Sequence, residues 1–237
     1  MEIKILFNTE AITKELAVGW GFSALVDGRI LFDTGENGNA ILNNINRMKI
    51  DISRIESVFI SHNHWDHTGG LWEILKHRGG MIVYALSHFG HEFETKVKHL
   101  GGRFVDSGNL LEISKDIYLT GEIPGFYHGI FMPEQSLAIK TENGISVITG
   151  CAHPGILKIL ERVKKQLHIN RFHLVLGGFH LKNQDPGEIR MIVQKFKEMN
   201  CEKVGPTHCS GMNAEAFFKE VYQERCISIK VGQTLHI

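Results

Sequence analysis

The chain is poor in features that would settle its class at once. Among 237 residues there are only four cysteines, and 26 basic residues are balanced by 26 acidic ones. Cys151, Cys201, Cys209 and Cys226 lie far apart and form no C-x-x-C pair. A chain of this size needs no disulfide framework, so reduced thiols in a cytoplasm are the simpler expectation. The zero net charge offers no basic footprint for a nucleic-acid backbone and no polybasic membrane anchor. No apolar run approaches the roughly 20 residues of a membrane span. The opening Met1-Glu2-Ile3-Lys4-Ile5-Leu6-Phe7 lacks the apolar length and small-residue cleavage site of a signal peptide. These absences point to a cytoplasmic protein that engages neither membrane nor nucleic acid. Linkers, low-complexity tracts and short repeats are also lacking, and the whole span 1–237 reads as one domain.

Histidine, by contrast, is plentiful, with fourteen in the chain, and their placement says more than their number. Ser61-His62-Asn63-His64-Trp65-Asp66-His67-Thr68-Gly69-Gly70 follows the apolar run Val58-Phe59-Ile60. It packs three imidazoles and a carboxylate into six residues. His and Asp are ligands for zinc-like divalent ions. A regular strand would send His67 to the face opposite His62, His64 and Asp66, whereas a loop can turn all four inward. The bland alternative is a polar loop facing water.

The hydrophobic pattern supplies the frame. Ile3 to Phe7 opens a strand, and Phe22 to Val26 and Arg29 to Phe32 flank the hairpin turn Asp27-Gly28. A helix is expected over Asn39 to Met48, and another after Gly69-Gly70 that stops near Gly79-Gly80. Met81 to Ala85 reads as a strand, and Ser87 as the cap of a helix to about Leu100. Gly121 to Pro133 reads as a long loop, often functional in a compact domain. Gln135 to Lys140 and Ile145 to Thr149 form a second hairpin. Helices at Ile156 to Leu167 and Pro186 to Met199 then alternate with strands at Phe172 to Leu176 and Lys203 to Val204. A helix capped by Asn213 and a strand from Cys226 to Val231 close the chain. Hairpins first and helix–strand alternation later suit an α/β (α+β) fold of two mixed sheets with outer helices, an αββα sandwich.

Three further histidines follow apolar strands: His153 in Gly150-Cys151-Ala152-His153-Pro154-Gly155, His180 in Gly177-Gly178-Phe179-His180, and His208 in Thr207-His208-Cys209-Ser210-Gly211. Loops at strand ends converge on a common crevice. Each histidine alone is as well explained by a local hydrogen bond. His88 and His91, three apart on the expected helix, read as a solvated surface, and Asp33 as either a strand-end turn or a group that orients a ligand.

The pattern His-x-His-x-Asp-His resembles the signature of the metallo-β-lactamase superfamily. Gly21-Phe22-Ser23, Leu31-Phe32-Asp33-Thr34-Gly35, Thr120-Gly121-Glu122-Ile123-Pro124 and the three later motifs narrow the likeness. Together they are similar to a branch holding an archaeal dihydropterin ribofuranosyl-aminobenzene phosphate synthase and many uncharacterised metal-dependent hydrolases. The resemblance implies a binuclear metalloenzyme with zinc, or else iron or manganese. It implies His62 and His64 on one ion, Asp66 and His67 on the second, His153 as the third ligand of the first and His208 as the last ligand of the second. Where the family commonly carries Gly-Asp, this chain has Gly150-Cys151, so Cys151 is either a thiolate ligand or a small buried residue. If Cys151 bridges, His128 competes with His153. Asp66 and His180 are the candidate catalytic residues, His180 as proton donor or substrate contact. A histidine is expected where Trp20 stands.

A bound divalent ion lowers the pKa of its water toward about 7, giving hydroxide at neutral pH. The implied activity is hydrolysis of an ester, lactone, thioester or phosphoester small molecule. The alternatives are a pterin-pathway group transferase acting on a phosphorylated substrate and a metal-binding module without turnover. The protein could act as a homo-oligomer.

Overall fold

A computed structural model describes residues 1–237, which form two compact units: 1–108 with 229–236, and 109–228 with Ile237. Each is built around one mixed sheet.

In the first unit the strands are β1 (Glu2–Phe7), β2 (Ser23–Val26), β3 (Ile30–Phe32), β4 (Ser57–Phe59), β5 (Ile82–Ala85) and β6 (Arg103–Asp106), with the chain's last strand β15 (Thr234–His236). Their order is β15-β1-β2-β3-β4-β5-β6. The β15, β1, β2 and β3 pairings are antiparallel, and those from β3 through β6 are parallel. Helices α1 (Gly38–Arg47), α2 (Trp65–Thr68), α3 (Leu71–His77) and α4 (His91–His99) connect them. The core joins Leu25, Leu31, Val58 and Val83 of the sheet to Ile41, Ile45, Leu71 and Ile74 of the helices. Asn37 caps α1, its side chain accepting from Ala40 N at 3.1 Å, a bond that satisfies one of the helix's unpaired donors.

The second unit holds β7 (Leu111–Ser114), β8 (Ile117–Leu119), the small hairpin β9 (Phe126–Tyr127) and β10 (Ile130–Phe131), then β11 (Leu137–Thr141), β12 (Gly144–Thr149), β13 (Phe172–Gly178) and β14 (Cys201–Thr207). Its six-stranded sheet runs β14-β13-β12-β11-β8-β7, parallel among β12, β13 and β14 and antiparallel elsewhere. Helices α5 (Ile156–Gln166), α6 (Pro186–Glu198) and α7 (Gly211–Tyr222) bury Ile159, Val163, Ile189, Phe196 and Phe218 with Val147, Phe172 and Val175. Asp185 caps α6 ahead of Pro186, a residue whose missing N–H costs nothing in the first turn. No helix is long and apolar enough to cross a membrane.

Two mixed sheets with helices are thus present, and the departures from the sequence pattern are local. Ser87–Phe89 is a separate 3-10 turn, ended by Gly90 at φ 89°, so His88 and His91 do not share one helix. Ser210 rather than Asn213 precedes α7, and its hydroxyl is already engaged by Phe179 N at 3.0 Å. Residues 226–231 make single bridges, Cys226 to Val204 and Val231 to Ala11. The last regular strand forms only after the turn at Gly232, where φ is 92°.

Candidate metal centre

In the first unit β3 and β4 run parallel, with Phe32 beside Phe59, so their C-terminal ends deliver Asp33 and Ser61-His62 to the same sheet edge. Asp33 is fully buried with a left-handed backbone, φ 47°. Its Oδ1 accepts Ser61 N at 2.7 Å, and its Oδ2 accepts Ser61 Oγ at 2.7 Å and His67 Nδ1 at 2.6 Å. Burial pushes this carboxyl above its ordinary range, against the pull of His67 and Ser61. With its hydroxyl proton directed at Asp33, Ser61 Oγ accepts from His62 Nδ1 at 2.9 Å. Both His62 and His67 therefore have Nδ1 committed as the donor.

One helical turn rather than an open loop places the other donors, because α2 begins right after His64. His67 N and Thr68 Oγ1 both donate to His64 O, at 3.0 Å each. His62 Nε2 and His64 Nδ1 come to 3.1 Å, and His67 Nε2 and Asp66 Oδ2 to 3.6 Å. Two ligands of one tetrahedral zinc-like ion lie roughly 3.3 Å apart, so each pair is spaced for a shared ion. Gly21, with φ 123°, is obligatory here: a Cβ on it would stand 2.1 Å from Asp66 O. Trp20 N donates to Glu36 Oε1 at 2.8 Å. Trp65, at the start of α2, is 61% exposed.

In the second unit the parallel strands β12, β13 and β14 are in register, Thr149 beside Gly177 and Gly178 beside Thr207. Their ends bring Cys151-His153, His180 and His208 to one edge. Ligand atoms of Cys151, His153 and His180 lie within 4.8 Å of one another, and those of Cys151 and His208 are equally close. His153 is held by Glu134, a buried residue with no local signal beyond its place after Pro133. Glu134 Oε1 accepts Gly150 N at 3.1 Å, Cys151 N at 2.9 Å and Ala152 N at 2.8 Å. Oε2 accepts His153 N at 3.0 Å and meets His153 Nδ1 at 3.1 Å. Burial alone would raise this carboxyl, but the bonds from His153 and the loop N–H groups outweigh it and hold the group below its usual value. His153 Nδ1 is the nitrogen that meets Glu134, on a side chain only 1% exposed.

Ala152, His180 and His208 all have positive φ, 60°, 54° and 53°, backbone strain of the kind that collects at functional sites. His180 Nδ1 is buried without a hydrogen-bond partner. The hydrogen bond to Cys209 outweighs burial and, with the nearby Cys209 and Glu134 charges, raises the His180 imidazole. Burial works to raise the Cys209 thiol, yet its bonds to Cys151 and His180 and the charges of His208 and His180 hold it well below the ordinary range. Sequence reasoning assigned Cys209 nothing, since a small residue after a strand-end histidine carries no signal of its own. His128 sits exposed at the tip of the β9–β10 hairpin, its ring 4.2 Å from Tyr127. Cys201 is not with these groups; burial pushes its thiol up to about 12.

Imidazoles with one nitrogen fixed by a buried carboxylate or hydroxyl, accompanied by Asp and Cys, make a donor set that fits a zinc-like divalent ion. The chain belongs to the metallo-β-lactamase superfamily, whose family profile matches residues 21–208. That span contains every histidine, aspartate and cysteine of the expected ligand set, and enzymes of this superfamily bind divalent metals.

Among individual relatives, the chain is 31% identical to a 7,8-dihydropterin-6-methyl-4-(β-D-ribofuranosyl)-aminobenzene-5′-phosphate synthase of Methanocaldococcus jannaschii, over 87% of this chain and 84% of that one. It is also 31% identical to a solved metal-dependent hydrolase of the β-lactamase superfamily, with a TM-score of 0.83 over 100% of this chain and 99% of that one. The short form of human tRNase Z, at 14% identity and TM-score 0.66 over 100% of this chain and 99% of its own, shares the fold.

Proposed function

We propose that the protein is a binuclear metallohydrolase acting on an ester, lactone, thioester or phosphoester of a small molecule. The observation that carries this reading is the pair spacing in the first unit: His62 Nε2 with His64 Nδ1 at 3.1 Å, and His67 Nε2 with Asp66 Oδ2 at 3.6 Å, each with its orienting bonds in place. In this reading His62, His64, Asp66 and His67 of the first unit and His153 and His208 of the second are metal ligands. Cys151 takes the position where the family commonly carries a bridging aspartate. When bound, such ions make water a stronger acid and polarise an electrophilic oxygen.

The chain's own groups do the rest. Asp33 and Glu134 fix imidazole orientation, which lowers the reorganisation needed at the moment of reaction. Water attacks the electrophilic carbon or phosphorus, and the bond to the leaving oxygen or sulfur breaks. His180, whose imidazole is raised chiefly by its hydrogen bond to Cys209, gives a proton to the leaving group, and the proton lost by the attacking water replaces it.

A second reading has a specific support: a relative of 31% identity is a synthase of the pterin pathway. There the same centre would orient a phosphorylated substrate for condensation with a dihydropterin. The deciding experiment gives metal-loaded protein a panel of esters, thioesters, lactones and phosphoesters beside the pterin and aminobenzene substrates. Turnover within the panel is expected. Condensation with no hydrolysis selects the transferase, and neither activity with tight metal binding leaves a metal-binding module.

A further inference from the structure

The metal chemistry leaves two features of the second unit without a role: the segment Thr120-Gly121-Glu122-Ile123-Pro124 and the ring of Tyr127. The segment is gripped from α5. Gln166 Nε2 donates to Thr120 O at 2.8 Å, Arg162 Nη2 to Glu122 O at 3.4 Å and Lys158 Nζ to Pro124 O at 2.8 Å. The donors stand four residues apart on one helix face, and the acceptors two apart along an extended chain. Each turn of the helix therefore takes the next alternate carbonyl. Just past this clamp, a Cβ on Gly125 would stand 2.7 Å from Pro154 N and 2.9 Å from the His153 carbonyl carbon, so only glycine lets the chain lie against that loop. Ile123 N donates to Glu134 O at 2.9 Å and Glu134 N to Ile123 O at 3.1 Å, which closes the stem below the β9–β10 hairpin. β9 thus rises from a fixed mount.

Tyr127, on β9, meets both imidazoles of this edge. Its ring centroid lies 5.3 Å from that of His153 at 71° and 5.7 Å from that of His180 at 81°. The two imidazoles are themselves 4.8 Å apart. Such spacings and angles are those of attractive edge-to-face ring pairs. The two histidines depend on them unequally. His153 is already bound by Glu134 through its backbone N and its Nδ1. His180 has no such carboxylate: its Nδ1 has no hydrogen-bond partner, and the ring bonds the thiol of Cys209. Sulfur is a weak hydrogen-bonding partner, which leaves the walls formed by Tyr127 and His153 to set the plane of the His180 ring.

We propose that Tyr127 is a positioning residue for His180, its ring holding that imidazole in the plane from which it serves the leaving group, with segment 120–125 and α5 as the mount. The proton transfer belongs to the hydrolase reading, on which this inference rests, but the placement is measurable without turnover.

The test compares zinc-loaded natural protein with Tyr127→Phe, Tyr127→Leu, His180→Asn and the Tyr127→Leu/His180→Asn pair. The substrates are the phenyl and 4-nitrophenyl esters of acetate and of phosphate. A nitrophenolate leaves without an acid's help, whereas the more basic phenolate gains from a proton. Tyr127→Leu should therefore lower kcat about 10-fold or more on the phenyl esters and within about 3-fold on the nitrophenyl ones, with KM little changed. Tyr127→Phe should stay within about 3-fold on all of them, because the ring makes the contact. In the His180→Asn background the loss of Tyr127 should cost nothing further. Zinc content should hold throughout, since Glu134 keeps His153 in place. By NMR of histidine-labelled protein, the His180 ring signals, identified by their absence in His180→Asn, should move in Tyr127→Leu and stay in Tyr127→Phe.

Equal losses on both leaving groups, full additivity with His180→Asn, or unmoved His180 signals overturn the proposal. So does a Tyr127→Phe as damaging as Tyr127→Leu, because the hydroxyl would then act, or a loss of zinc in Tyr127→Leu, because His153 would then be what the ring serves. Moved His180 signals without turnover of any of the four esters support the placement and remove the hydrolase reading.

Discussion

The two candidate ligand sets are held in different ways. In the first unit His62, His64, Asp66 and His67 come from a single stretch, and Asp33 alone organises it with bonds to Ser61 N, Ser61 Oγ and His67 Nδ1. In the second unit Cys151, His153, His180 and His208 come from three parallel strand ends, and Glu134 binds four consecutive N–H groups as well as the His153 ring. Asp33 mainly fixes side chains, whereas Glu134 mainly fixes a loop backbone. The balance of burial against bonding follows: burial prevails at Asp33 and raises it, while the denser bonding at Glu134 lowers it. A contiguous ligand stretch needs its rings oriented. A dispersed set needs its loops built first.

That contrast can be broken most directly at the ligands of the first set. His67→Ala or Asp66→Ala should cost a full equivalent of metal, read by elemental analysis after reconstitution. Full retention in both would remove the contiguous stretch from the centre. Next come the two anchoring carboxylates. Glu134→Ala strands a row of buried donors and should lower stability by on the order of 4 kcal/mol. Asp33→Ala, stranding fewer, should cost about 2–3 kcal/mol by the same reasoning. Urea unfolding of the metal-free variants compares them, and equal losses would erase the distinction between ring and loop anchoring.

A smaller effect is expected at Cys151. Cys151→Asp should keep metal affinity within about 10-fold of the natural protein, and Cys151→Ala should fall further, by about 10–100-fold. Competition with a chromogenic chelator measures both, and identical behaviour of the two variants would make Cys151 a packing residue. The smallest effect concerns a thiol away from both sets. With its thiol pushed up to about 12 by burial, Cys201 should react with iodoacetamide at pH 8 roughly 100-fold or more slowly than a free cysteine. The sign requires that its rate keep rising with pH up to unfolding, as mass spectrometry of the labelled peptide would show.

How much of this could be read beforehand depended on where each partner lies in the chain. The stretch 61–70 announced a ligand cluster because its donors are neighbours in sequence. The histidines at 153, 180 and 208 were legible because each follows an apolar run, a local signal of a strand end. Glu134 gave no such sign. Its bonds reach 16 to 19 residues ahead, and nothing near Pro133-Glu134-Gln135 reveals that a loop folds over it. The long segment Gly121 to Pro133 read as loop, and the structure finds a hairpin within it whose strands are too short for any periodicity to register. Cys209 was equally silent, its surroundings being set by Cys151 and His180 from other strands.

The sequence by itself determined the superfamily, the mixed-sheet fold and the donor types, because those follow from residue chemistry and local pattern. Only tertiary structure decided which imidazole nitrogen meets a carboxylate or hydroxyl, which carboxylate holds which loop, and that Tyr127 of the β9–β10 hairpin adjoins His153 and His180. Those outcomes come from burial and from bonds between residues distant in the chain, and short-range pattern carries no record of either.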